Sequence, residues 1–194
     1  MKENATKRKK VLIVLGSPRA RGNSATLGER VAAGVRTAGG NAELIRLHGM
    51  DLRPCRACDA CQRNKDYRCV QRDGMRDVYH RLQEADALVI ASPVYWFTMS
   101  AQTKLFMDRL YAFIGPQGHG MAGKKVGVVL TYQDADPLAS GAVNAIYALR
   151  DAFGFMKAPL AGTVYGSANA AGEVRKNKAL MDRAFELGRN IVSA

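Results

Sequence analysis

The chain has 194 residues, 47% of them apolar and 24% charged, which suits a single globular domain and excludes the disordered and fibrous classes. Its longest aliphatic runs, such as Val11 to Leu15, fall far short of the ~18 residues that a membrane-spanning helix needs. Lysine and arginine number 29 against 17 aspartates and glutamates, and the resulting +12 would ordinarily point to nucleic acid, an anionic membrane or an acidic ligand.

Residues 1–10, MKENATKRKK, carry +4 of that charge and read as a disordered basic tail, leaving residues 11–194 as one domain. No long apolar stretch follows the basic start, so no secretory signal is read and the protein is expected to be cytoplasmic. VLIVLG at 11–16 is a continuous β-branched run ended by a turn, the pattern of a strand buried on both faces of a parallel sheet. An amphipathic helix follows, with Leu27, Val31 and Val35 recurring every four residues from Asn23 and Ser24 to a stop at Gly39 and Gly40. Further strands are expected at 42–47, 87–91, 125–131 and, more weakly, 160–165. Helices are expected at 75–85, 100–113, 138–153 and 173–191. Strict β-α alternation implies right-handed crossovers and a parallel sheet covered on both faces. The fold class is therefore α/β, a flavodoxin-like three-layer sandwich with a five-stranded sheet of order 2-1-3-4-5, whose ligand site lies past strands one and three.

Two loops stand at that position. The first, GSPRARGNS at 16–24, lies between a buried strand and a helix, where backbone N–H groups and the positive helix end favour an anion, most often phosphate. Its glycine spacing fits neither a dinucleotide fingerprint nor a nucleoside triphosphate loop, and it holds no cysteine nucleophile. Ser17, Arg19, Asn23, Ser24 and Thr26 can donate to a terminal phosphate. Equally, Ser17 and Ser24 can be a turn residue and a helix cap. The second loop, SPVYWFTMS at 92–100, places Tyr95, the sole tryptophan Trp96 and Phe97 just past a buried strand, a surface able to cover a flat ring or to pack at a dimer contact. Lys104 and Asp108 stand four apart on the next helix and, with Arg109, read as structural.

Between strand two and the next helix, Cys55, Cys58, Cys61 and Cys69 give C-x2-C-x2-C-x7-C. This compact triplet plus one suits four thiolates around [4Fe-4S] better than structural zinc, which prefers two separated pairs. Free thiols or a local disulfide remain alternatives. The surrounding segment 53–81 carries eight basic and four acidic residues, and cationic neighbours favour thiolates. His48, His80 and His119 are isolated and receive no role, and Asp134 and Asp136 read as loop solvation.

Taken together, GSPRARGNSATL, the cysteine segment with Asp73, Gly74 and Met75, EADALVIASPVYW and SAQTKLFMDR resemble the NADPH-dependent FMN reductase and iron–sulfur flavoprotein group of the flavodoxin-like superfamily. The resemblance covers most of residues 11–113. It implies bound FMN, with Ser17, Arg19, Asn23, Ser24 and Thr26 at its phosphate and Pro93, Val94, Tyr95, Trp96 and Phe97 along its isoalloxazine. A third loop, Gly-rich in many relatives, is TYQDA at 131–135 here, so that Thr131 and Tyr132 are candidates only. It further implies NAD(P)H as hydride donor, a small-molecule or redox-protein electron acceptor or donor, and a homodimer or homotetramer. It carries the rival reading of an iron–sulfur electron carrier served by a ferredoxin-like partner. The sequence has no nucleic-acid-binding motif or interleaved basic and aromatic stripe, and neither nucleic acid nor a membrane is expected as a partner.

Overall fold

The computed structural model describes residues 8–193. Its first half runs β1 (Lys10–Leu15), α1 (Asn23–Thr37), β2 (Asn41–Arg46), α2 (Met75–Glu84), β3 (Ala87–Tyr95), β4 (Thr98–Met99) and α3 (Ala101–Arg109). Then come β5 (Ile114–Gly115), β6 (Gly118–His119), β7 (Lys125–Tyr132), α4 (Ala142–Phe155), β8 (Leu160–Ser167) and α5 (Lys178–Ser193), with 3-10 turns at Ala60–Arg63, Leu110–Phe113 and Glu173–Lys176. Five strands pair in parallel in the order β2-β1-β3-β7-β8, the expected flavodoxin-like arrangement.

Strand side chains alternate between the two faces, as the two-residue period demands. Val11, Ile13 and Leu15 pack with α1 and α5, whereas Leu12 and Val14 pack with α2, α3 and α4. Both faces are covered, and each buried Val, Leu, Ile or Phe adds about 1.5–3 kcal/mol of apolar burial. The α1–α5 crossing is tight: a Cβ at Gly34 would strike the Phe185 carbonyl, and one at Gly188 the Val31 carbonyl. Among the described residues, no helix is long and apolar enough to cross a membrane.

Several boundaries differ from expectation. Residues 1–7 of the expected tail lie outside the described residues, while Lys10 opens β1, its N–H on Asp86 at 2.7 Å and its Nζ on Glu84 at 2.9 Å. The helix expected from 138 starts at Ala142, because Asp136 Oδ1 accepts the Leu138 N–H at 2.6 Å and folds 136–140 as a turn. The C-terminal helix is split: Glu173–Lys176 is 3-10, and Asn177 Oδ1 then accepts the Leu180 N–H at 3.0 Å and opens α5. Residues 92–95, expected as loop, continue β3, and Thr98–Met99 return as an antiparallel hairpin. The short β5–β6 pair had no signal in the sequence pattern.

Candidate functional site

The site arises from unequal strand lengths. β1 stops at Leu15 opposite Ala91, but β3 runs on to Tyr95 and pairs with β7 as far as Pro93 and Thr131. Past Ala91, β3 therefore lacks a neighbour on the β1 side, and the turn after β1 fills the floor of the space this leaves. That turn is locked from below by buried hydroxyls. Ser100 Oγ donates to the Gly16 carbonyl at 2.7 Å, Thr103 Oγ1 donates to Ser92 Oγ at 3.0 Å, and the Ser100 N–H donates to Ser92 Oγ at 3.1 Å. Ser100 also caps α3 by accepting the Thr103 N–H. A Cβ at Gly16 would overlap the Thr103 hydroxyl, so this approach requires glycine.

The resulting cleft brings together Ser17, Arg19, Asn23, Pro93, Val94, Tyr95, Thr131 and Tyr132, eight of the twelve residues expected at the cofactor. Ser17 is buried and its Oγ accepts the Arg19 N–H at 3.1 Å, shaping the turn, while Arg46 donates to the Arg19 and Ala20 carbonyls from outside. Thr131 and Tyr132 are buried on the wall at the end of β7, and burial raises the pKa of the Tyr132 hydroxyl. α1 opens at Gly22 with no side-chain cap and no acidic residue in its first turn, which leaves its N-terminal N–H groups and positive dipole end available to an anion.

Four expected residues are placed otherwise. Ser24 and Thr26 do not line the cleft, but they lie in the opening turns of α1, 0% and 4% exposed, and their hydroxyls have no hydrogen-bond partner among the described residues. Trp96 and Phe97 occupy the tip of the β3–β4 hairpin at φ 47° and 65°, and Trp96 is 91% exposed. They stand edge to face beyond the cleft walls, because a two-residue turn aims its central side chains outward. The Asn23 side chain, expected on a phosphate, is bonded to the segment after β8. Ala168, Asn169 and Ala171 of that segment, with Gly22 and with Gln133 of the third loop, complete the lining; nothing in the sequence pattern marked Ala168, Asn169 and Ala171, since they come from a short loop without a motif.

All four cysteines are free. Cys55 and Cys58 are exposed, Cys69 is half-buried, and Cys61 is buried, which raises the pKa of its thiol. Among the described residues no three His, Cys, Asp or Glu side chains are grouped closely enough to hold a single metal ion. Ala57, Asp59 and Tyr67 in this segment adopt φ near +50°, an arrangement that costs non-glycine residues energy. Its two ends are clamped by a buried ion pair that no sequence pattern marked. Arg109 Nη1 and Nη2 donate to Asp73 at 2.5 and 3.1 Å, Arg109 Nη1 also donates to the Arg53 carbonyl at 2.6 Å, and the Arg53 N–H donates to Asp73 Oδ2 at 3.0 Å. Lys104 and Asp108 pair at 2.6 Å as expected.

The profile of the NADPH-dependent FMN reductase family matches residues 9–173. An iron–sulfur flavoprotein of Archaeoglobus fulgidus is 32% identical over 125 residues, 63% of this chain and 54% of that protein. The chain thus spans about half the length of such relatives. A Bacillus subtilis protein provisionally named an NAD(P)H-dependent FMN-containing oxidoreductase is 26% identical over 92% of this chain and 96% of its own. Among solved structures, the NAD(P)H:quinone oxidoreductase of Methanothermobacter marburgensis superposes with a TM-score of 0.71 over 95% of this chain and 97% of its own, at 19% identity, a likeness of fold.

Proposed function

Since the chain belongs to the NADPH-dependent FMN reductase family, we propose that it is an oxidoreductase that holds FMN in the cleft, takes hydride from NAD(P)H and passes electrons to a small-molecule or redox-protein acceptor. The observation that carries this reading is the convergence of the 16–23 turn, the 93–95 strand end and the 131–133 strand end on one cleft, beside an uncapped helix start with two orphaned buried hydroxyls. Buried polar groups without a partner mark a helix start built to meet a ligand. Bound there, FMN supplies hydride acceptance and one- or two-electron delivery.

The chain's own residues bind and orient. The N–H groups at the start of α1, with Ser17 and Arg19, hold the phosphate. Pro93, Val94 and Tyr95 offer an edge of backbone and one aromatic side chain to the ring, and Thr131 and Tyr132 back it. No side chain needs to act as nucleophile or general base. The exposed Trp96 and Phe97 at the mouth support a homodimer or homotetramer in which a second copy covers the ring.

A second reading, an electron carrier with [4Fe-4S] at Cys55, Cys58, Cys61 and Cys69 and a ferredoxin-like partner, is favoured by the names of the relatives and by the cysteine spacing. It requires the four thiolates of residues 55–69 to surround one cluster.

One preparation tests both. Anaerobically purified protein is expected to be yellow or to take up FMN, to oxidise NAD(P)H, and to elute at about two or four times the monomer mass. A colourless protein indifferent to added FMN overturns the first reading. Iron and sulfide analysis at about four per chain supports the second, and absent iron removes it.

A further inference from the structure

The Asn23 side chain makes three hydrogen bonds, all to one segment roughly 150 residues away in sequence. Its Nδ2 donates to the carbonyls of Ala168 at 3.1 Å and Ala170 at 2.9 Å, and its Oδ1 accepts the Val174 N–H at 3.2 Å. Both amide hydrogens are spent, so this side chain has none left for an anion. The segment it grips is itself cross-braced. The Glu173 carboxylate accepts the N–H groups of Asn169 at 2.7 Å and Ala170 at 2.8 Å. The Ala168 N–H donates to the Tyr132 carbonyl at 2.8 Å, which ties the segment to the end of β7. The segment is thus held at both the helix start and the strand end, and it lines the cleft together with Ser17 and Arg19.

We propose that Asn23 is a positioning residue that couples the anion-binding turn to this fourth wall, and that the wall makes the cleft selective for a phosphate-bearing flavin over an unphosphorylated one. The inference rests on the flavin reading above and deepens it. With the wall in place, the opening of α1 faces a cleft bounded on the β8 side, into which its backbone N–H groups can donate charge-assisted hydrogen bonds to a phosphate. Without Asn23 the wall loses its tether to α1, water enters beside the phosphate, and the isoalloxazine contacts at 93–95 are untouched.

The test is titration of the apoprotein with FMN and with riboflavin, which lacks the phosphate. Asn23→Ala is expected to weaken FMN binding at least tenfold and riboflavin binding less than twofold, so that the preference for FMN collapses. Asn23→Asp, which sets a carboxylate against two carbonyls and beside the phosphate, is expected to be worse than alanine. Glu173→Gln, which leaves α1 intact and gives a second route should Asn23→Ala fold poorly, is expected to lower the FMN preference by a smaller factor. Equal losses for both flavins, or an unchanged preference in Asn23→Ala and Glu173→Gln, overturn the coupling while leaving the flavin reading standing. Wild-type protein that binds neither flavin overturns both.

Discussion

Arg109 has the largest side chain sealed inside the protein, and its counter-ion Asp73 is equally shielded. Burial opposes the charge on Asp73, yet the Arg109 guanidinium and the Arg53 and Met75 N–H groups outweigh it and hold the carboxyl below its ordinary pKa. A depressed carboxylate pKa adds stability above the unfolded value, near 4, and that stability is lost as pH falls through the folded value. Asp73→Asn strands the Arg109 charge and is expected to cost about 3–5 kcal/mol at neutral pH. Urea midpoints measured from about pH 6 down to about pH 3 should fall more steeply for wild type than for the variant, and parallel curves would contradict this account. Neither partner was legible as a pair, because 36 residues of sequence separate them and only the folded cysteine segment brings them together. Gly16 was legible as a turn residue, but the Thr103 hydroxyl that requires it was not.

At the scale of elements, the buried strands could be read because parallel strands covered on both faces are continuous apolar runs, as in ALVIA at 87–91. The extension of β3 to Tyr95 could not. Pro93 in a central strand argues for a loop, and it is tolerated here because β1 has already ended opposite Ala91. The hairpin tip is likewise hidden, since a two-residue turn with both φ positive is normally announced by Asn-Gly or Asp-Gly. Trp96 and Phe97 instead hold φ 47° and 65°, a conformation that costs bulky residues energy and recurs at functional sites. The double variant Trp96→Asn, Phe97→Gly should therefore raise the urea midpoint, by about 1 kcal/mol or more in stability, while slowing NAD(P)H oxidation severalfold by removing the exposed apolar tip on which a second copy would pack. A lower midpoint would mean that packing at the tip outweighs backbone strain.

For the whole molecule, the +12 changes meaning once it is placed. Within 53–81 the acidic residues are largely consumed locally: Asp73 by Arg109, Asp77 by Arg81 at 2.6 Å, and Asp66 by Arg68 at 2.9 Å. Arg56, Arg63, Lys65, Arg72 and Arg76 remain exposed around the cysteines and present a positive surface. Such a surface steers an acidic protein by long-range attraction, and salt screens that attraction beyond about 10 Å at 0.1 M. Electron exchange with an acidic redox protein such as a ferredoxin should therefore slow roughly tenfold between about 50 and 500 mM salt. The double reversal Arg63→Glu, Arg72→Glu should remove most of that rate at low salt and most of its salt dependence. Oxidation of NAD(P)H with a small uncharged quinone as acceptor reports on the cleft alone and should stay within about twofold of wild type in the same variant. Equal protein-acceptor rates in wild type and variant at low salt would show that this positive surface does not guide a partner, and would leave the small-molecule acceptor as the reading to pursue.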